Sequence, residues 1–352
     1  MARSQRSVSA ALVAVVALAG LLAAGRWLQP RLDGRTKAPV TSRPAPTSPA
    51  PTSPTLATTR PAGPSHITRV VATSSQVDAI AVTRRAVWLA VGGLVLRVDP
   101  ATGRALVVPG VEDGAPVVDL AAGAGAVWAV TTGAGLLRVD PGTARLTASL
   151  PGPVSAVTAG AGGVWAVCCQ GRIRRGRVTR LDPASGRVIA AVGLPARPLA
   201  VGAGTGAVWV RGPEGWLWRV DPLGYRSAGS IRLPTVPGGA ELGGKVVVAG
   251  EVIWVSDPGV GVVRRVDPRR GTEDTWEADG RDLVVTPGGT VWATSDTWLL
   301  GLGGPQVLGP RRNLHELHTD RIIAAAAARD GGLWPGTAQG LFHVDQSVLR
   351  QG

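Results

Sequence analysis

The sequence predicts an all-β fold, a seven-bladed β-propeller carried behind an N-terminal transmembrane helix and a Pro/Thr/Ser-rich linker. Three observations carry that expectation. Seven Trp recur at an average spacing of 41 residues, an Arg-(Val/Leu)-Asp-Pro element follows most of them, and a 19-residue uncharged run lies near the N-terminus.

An apolar residue precedes each Trp, at Val87-Trp88, Val127-Trp128, Val164-Trp165, Val208-Trp209, Ile253-Trp254, Val291-Trp292 and Leu333-Trp334. A period of roughly 20–50 residues marks a repeat architecture. The Arg-(Val/Leu)-Asp-Pro element places its Asp at 99, 140, 182, 221 and 267; the sixth repeat lacks it, and the seventh reduces it to His343-Val344-Asp345-Gln346. In the second repeat the β-rich runs are 116–122, 126–131, 135–140 and 144–150, separated by Gly and Pro. Four such runs per repeat, with no sustained helical period, read as propeller blades and exclude helical solenoids. Asp-Pro-x-(Ser/Thr)-Gly at 99–103 and 182–186 is turn chemistry, with Pro fixing φ, Asp accepting backbone N–H bonds and Gly taking the left-handed position. One Trp per repeat at one phase is expected to pack between blades. After 340–345 only seven residues remain, so the segment 67–73 is expected to return as the fourth strand of the last blade and remove an open edge.

Composition narrows the rest. With 45% hydrophobic residues and 17% charged ones, the bulk of the chain is not disordered. The formal charge of +13 divides into +7 from residues 1–65, with eight basic side chains and one acid, and +6 from the remaining 287 residues, with 29 basic and 23 acidic. Of the 37 basic residues all but Lys37 and Lys245 are Arg, and only one Tyr and one Phe are present, so no nucleic-acid surface is expected. Residues 1–28 read as a signal anchor or signal peptide: Arg3 and Arg6 precede the uncharged run 7–25, which is about 28 Å long as a helix, and Arg26-Trp27 suits the interface. Residues 29–65 read as a disordered Pro/Ser/Thr-rich stalk, since 38–65 holds eight Pro and ten Ser/Thr. The propeller takes 66–352. The expected location is the cytoplasmic membrane, single-pass, with the propeller on the extracytoplasmic side.

Val-Trp-x-Val followed by Gly-x-x-x-Arg-Val-Asp-Pro-x-Thr-Gly-Arg, as in Gly93 to Arg104, resembles the YVTN/YncE-type, quinoprotein-like propeller repeats of bacterial exported proteins. The resemblance covers 66–352. It implies the fold; it does not imply one activity, because such repeats are structural.

Irregularities against the repeat mark candidate sites. The third repeat carries an insertion at 171–177, so Arg172, Arg174, Arg175 and Arg177, with Arg180, are expected to bind an anion or partner, as Arg suits bidentate carboxylate and phosphate contacts. Arg311 and Arg312, between blades six and seven, are expected to join them. His315, Glu316 and His318 are weak metal-ligand candidates, without the His-Glu-x-x-His spacing of zinc proteases. Cys168 and Cys169 are adjacent, which admits a vicinal disulfide; in quinoprotein dehydrogenases, which this chain resembles in repeat style, such a pair packs against the cofactor. No cofactor and no catalytic residue is expected. The expected function is a membrane-tethered, non-catalytic binding, sensing or protein-assembly module, with partners in the cell membrane, an anionic cell-envelope component or another protein. The alternative is a metal-dependent lyase resembling virginiamycin B lyase, which would use His315 and His318.

Overall fold

The computed structural model describes residues 67–111, 115–169, 175–204, 206–235, 243–278, 280–295, 298–303, 311–313 and 321–350. The apolar run 7–25 and the stalk lie outside them. Seven four-stranded antiparallel sheets form the blades, numbered here in chain order. Blade 1 spans Val77–Val107, blade 2 Val117–Leu150, blade 3 Ala156–Leu194, blade 4 Ala200–Arg232, blade 5 Val246–Glu277 and blade 6 Leu283–Asn313. Blade 7 takes three strands from Ala324–Val344 and its fourth from Ile67–Ala72, which pairs antiparallel with Gly340–Val344. The expected closure is therefore present. A short helix, Gln346–Arg350, ends the described chain.

Within a blade the strands run up and down, so the channel-lining first strand of every blade starts on one face, and the first turn and the third turn lie on the other. In blade 2 the observed strands are Val117–Gly123, Ala126–Thr131, Gly135–Asp140 and Arg145–Leu150, within a residue of the expected runs. The repeated β-branched and Trp residues favour such half-buried pleated strands.

Apolar burial is divided among seven clusters, each between consecutive blades. Each contains one repeat Trp. Trp128 of blade 2, for example, packs with Val157, Val164 and Leu181 of blade 3. All seven Trp are buried, and truncating a buried Trp costs about 3–5 kcal/mol. The motif Arg has a role that the sequence did not suggest. In blades 1 to 5 it lies directly opposite the Trp in the strand register, as Arg97, Arg138, Arg180, Arg219 and Arg265. The Arg138 guanidinium sits 5.9 Å from the Trp128 ring centre, and its Nε donates to the Pro183 carbonyl of blade 3 at 2.8 Å. Arg180 repeats this, 5.7 Å from Trp165 and 3.4 Å from the Pro222 carbonyl of blade 4. A cation–π contact is worth about 0.5–1 kcal/mol at an exposed site and about 2 kcal/mol when desolvated, still below the cost of truncating the Trp, so Trp burial dominates and Arg orients these joints. In blade 7 the position is His343, stacked 4.4 Å from Trp334 and 3.2 Å from Asp330.

The five motif Asp close their turns as expected. Asp99 Oδ1 accepts the N–H groups of Ala101 and Thr102, and the Asp99 carbonyl accepts that of Gly103. Gly103 is needed twice over: φ is +69°, and a Cβ would come 2.6 Å from the Val70 carbonyl of the closing strand. Blades 2 and 4 place Ala144 and Tyr225 at the left-handed position instead, at φ +55° and +49°.

Two expected outcomes follow from this architecture. Deleting residues 66–74 removes the closing strand, exposes an edge on blade 7 and uncovers part of its apolar cluster. The thermal midpoint should fall by about 10 °C or more; an unchanged midpoint would show that the closing strand is not a stability element. The turn carboxylates should also shape the acid response. Backbone N–H bonds within each turn hold Asp99, Asp140, Asp182, Asp221 and Asp267 below the usual value of 3.8. A depressed folded pKa means that their contribution is complete above about pH 4 and is lost as pH falls below it. Replacing all five by Asn, which keeps the acceptor but cannot titrate, should flatten the fall in thermal midpoint between pH 5 and pH 2.5. An equally steep fall in that variant would assign the acid sensitivity elsewhere.

Candidate functional site at the mouth of the axial channel

The first strands of the blades present one side chain each to the upper channel. Taken by register against the repeat Trp, the ring two residues before the Trp partner reads Ala79, Asp119, Ala156, Ala200, Lys245, Asp282 and Ala324. Four blades use Ala, the small residue that a crowded axis asks for. Three use charges, and the charges converge.

Lys245 of blade 5 reaches across the channel to blade 2, where its Nζ donates to Asp119 Oδ1 at 2.8 Å. Asp119 Oδ2 accepts the Val157 N–H of blade 3 at 3.0 Å. Asp282 of blade 6 does the same for blade 7, its Oδ2 accepting the Ala325 N–H at 3.0 Å and its Oδ1 the Leu283 N–H at 2.9 Å. These N–H groups belong to the inner edges of the sheets, where a neighbouring strand is lacking and an unpaired buried donor would be costly. The backbone of Lys245 is pinned in turn: its N–H donates to Ser256 Oγ at 2.8 Å, and its carbonyl accepts the Ser256 N–H. Thr294 holds Asp282 in the same way. Gly244 precedes Lys245 because a Cβ there would lie 2.2 Å from the Ser256 carbonyl.

Above this trio opens a cavity of about 260 Å³, walled by Asp78, Ser155, Leu199, Arg281 and Ile323. Lys245 has 37% of its side chain exposed to it, whereas Asp119 has 9%. Burial alone would push the Lys245 ammonium toward its neutral form. The charges of Asp119 and Asp282 outweigh that and hold its pKa above the value of a free lysine. Burial pushes the Asp282 carboxyl up and the Asp119 charge adds to this, while Lys245 and the backbone donors oppose it. A lysine held as ammonium is neither a nucleophile nor a general base at neutral pH. Its remaining donors suit recognition. Among the described residues no group of three or more His, Cys, Asp or Glu could hold a metal.

The residues singled out from the sequence lie elsewhere. Arg175 and Arg177 are exposed at the start of the third strand of blade 3, bordering a groove toward blade 4 with Gly193, Leu194 and Ser227. Arg177 Nε lies 3.2 Å from Cys168 Sγ, and Cys168 is a buried free thiol. Arg180 sits at the other end of that strand, bound to the Gly162 and Pro222 carbonyls and to the Tyr225 hydroxyl, so the structure does not bring it to Arg175. Arg311 and Arg312 occur in the outer strand Arg311–Asn313 of blade 6. Arg172, Arg174, His315, Glu316 and His318 lie outside the described residues. The axial trio was missed, although a signal existed: Lys245 is the lone Lys of the propeller among its arginines, and Asp119 and Asp282 break a column of Ala nine or ten residues before each Trp.

No family model matches the chain, and no curated protein matches its sequence. Matches of fold are abundant, with 1577 solved chains. One is a chain of the crystal structure of the mitotic checkpoint complex, with a TM-score of 0.62 at 12% identity, covering 88% of this chain and 99% of that one. At that identity the similarity shows the seven-bladed β-propeller fold and nothing finer.

Proposed function

We propose that the protein is a non-catalytic binding module, a propeller tethered outside the membrane that takes its ligand or protein partner at the axial funnel. The observation that carries this reading is the trio Asp119–Lys245–Asp282. A sevenfold scaffold needs only small residues at that ring, yet three blades contribute charges that meet across the axis and face a cavity. The carboxylates are engaged by backbone N–H groups and the ammonium stays charged, so the arrangement offers fixed charges and donors for recognition. The run 7–25 and the Pro/Ser/Thr-rich segment support a tethered, extracytoplasmic placement, and the repeat style supports kinship with YVTN/YncE-type propellers. The similar chain of the mitotic checkpoint complex belongs to a protein assembly, which is in keeping with use as an assembly platform.

Replacing Lys245 by Met should lower stability by about 1–3 kcal/mol, because two buried carboxylates lose their counter-charge. Adding Asp119→Asn and Asp282→Asn should restore part of that loss, and denaturant unfolding of the set measures it as a cycle. For function, a photo-reactive residue at Val118 on the funnel wall should yield a discrete adduct in cells, with Ser149 on an outer strand as the control position. The adduct should vanish in Lys245→Met while the fold persists. An adduct that is indifferent to Lys245, or one obtained equally from position 149, would sink the funnel as the recognition site.

A further inference from the structure

The face opposite the funnel has a chemistry that neither ring closure nor the funnel requires. It carries the third turns of the blades, and in blades 1 to 4 each of these turns ends on an Arg five residues after its Asp: Arg104, Arg145, Arg187 and Arg226. All four are exposed. The turn needs the Asp acceptor and the left-handed residue; in blades 1 and 3 the Arg contributes backbone groups to the closure, its carbonyl accepting the Asp N–H and its N–H donating to the Thr102 or Ser185 hydroxyl. Among the described residues Arg104, Arg145 and Arg187 have no carboxylate within 4.0 Å, and Arg226 has Asp221 at 3.8 Å. Blade 5 continues the arc with Arg269 and Arg270, both exposed and each ion-paired, Arg269 with Glu251 at 2.6 Å and Arg270 with Asp267 at 3.7 Å.

A second, independent observation falls on the same rim. Large exposed hydrophobic side chains among the described residues are few, and apart from Val118 in the funnel they all flank these arginines. Leu106 and Val107 follow Arg104, Val188 and Ile189 follow Arg187, and Leu223 and Tyr225 precede Arg226. Leu223 is 82% exposed and Val188 50%. Interleaved Arg and exposed apolar residues form an interfacial pattern, in which the apolar groups enter the headgroup layer and the cations meet anionic lipid.

A third observation is where the rest of the chain attaches. The closing strand starts at Ile67, paired with Val344 at the end of its neighbour, and so begins on this same face. The 66 preceding residues, with the uncharged run at 7–25, are joined there.

We propose that the face opposite the funnel docks on an anionic lipid bilayer through the Arg and apolar rim of blades 1 to 4. This rests on the tethered placement proposed above, and it adds that the propeller lies down on its membrane with the funnel turned outward. Each Arg near such a surface strengthens binding about fivefold. The attraction is screened by salt within about a Debye length.

The test uses the full chain in nanodiscs, of phosphatidylcholine alone or with about a third phosphatidylglycerol. Arginines are modified by phenylglyoxal and mapped by mass spectrometry. Arg104, Arg187 and Arg226 should react about fivefold more slowly with phosphatidylglycerol present, while Arg232 and Arg281 on the funnel face react equally in both. About 0.5 M salt should abolish the difference, and Ile189→Asp with Leu223→Asp, checked for an intact β spectrum, should reduce it. Equal rates in both lipids, or shielding of Arg232 and Arg281 instead, would overturn the docking proposal alone. A chain that does not enter the nanodiscs would overturn the tether and the docking together.

Discussion

No blade of this propeller can bury both of its faces without a neighbour, and everything else follows from that constraint. The apolar clusters lie between blades, so each Trp becomes useful only when the next blade is in place. Joining blade 7 to blade 1 completes the cluster around Trp334, and the closing strand adds Ile67 to the cluster around Trp292 between blades 6 and 7. At the joints from blade 2 to blade 3 and from blade 3 to blade 4 the paired Trp and Arg help to set the angle, because the guanidinium rests on a ring in one blade and donates to a Pro carbonyl in the next. At those two joints a motif that reads as a turn is also an inter-blade fastening. Blade 6, which lacks the motif, has Gly301 opposite its Trp and relies on apolar contact there.

This division explains what could be read from the sequence. Trp spacing, strand count and turn chemistry are local, periodic signals, and each marks a residue whose neighbours are a few positions away. Closure was also legible, because the last repeat has too few residues for a fourth strand. The functional candidates were harder. The insertion at 171–177 stands out as a local irregularity, yet Arg180, only three residues further, belongs to the other end of a strand and to a different joint. The axial trio shows the converse. Asp119 and Lys245 are 126 residues apart, and each looks ordinary within its own repeat. Their meeting depends on nearly opposite places in a ring of seven, which no window along the chain contains. Bulges between Val77 and Ala79, and between Val117 and Asp119, further shift the inner strands against the Trp column.

The two faces also differ in the kind of contact they favour. The funnel concentrates a few charges in a concave, half-enclosed space, where backbone N–H groups fix the carboxylates and Asp119 fixes the ammonium. The opposite rim spreads flexible arginines and single apolar side chains over a broad arc. The first arrangement suits discrimination of one chemical group; the second suits adhesion to an extended surface whose molecules are mobile and alike.

Propeller rings surround an axis, and an axis invites the idea of a passage. Here the side chain of Lys245 reaches from blade 5 to Asp119 of blade 2, so two nearly opposite blades are tied across the axis by an ion pair. That tie joins two blades that share no edge, so a ligand seated in the funnel meets a brace that holds opposite walls of the ring at a fixed distance. A group that competes for the Lys245 ammonium would loosen the ring across its diameter as well as occupy its mouth.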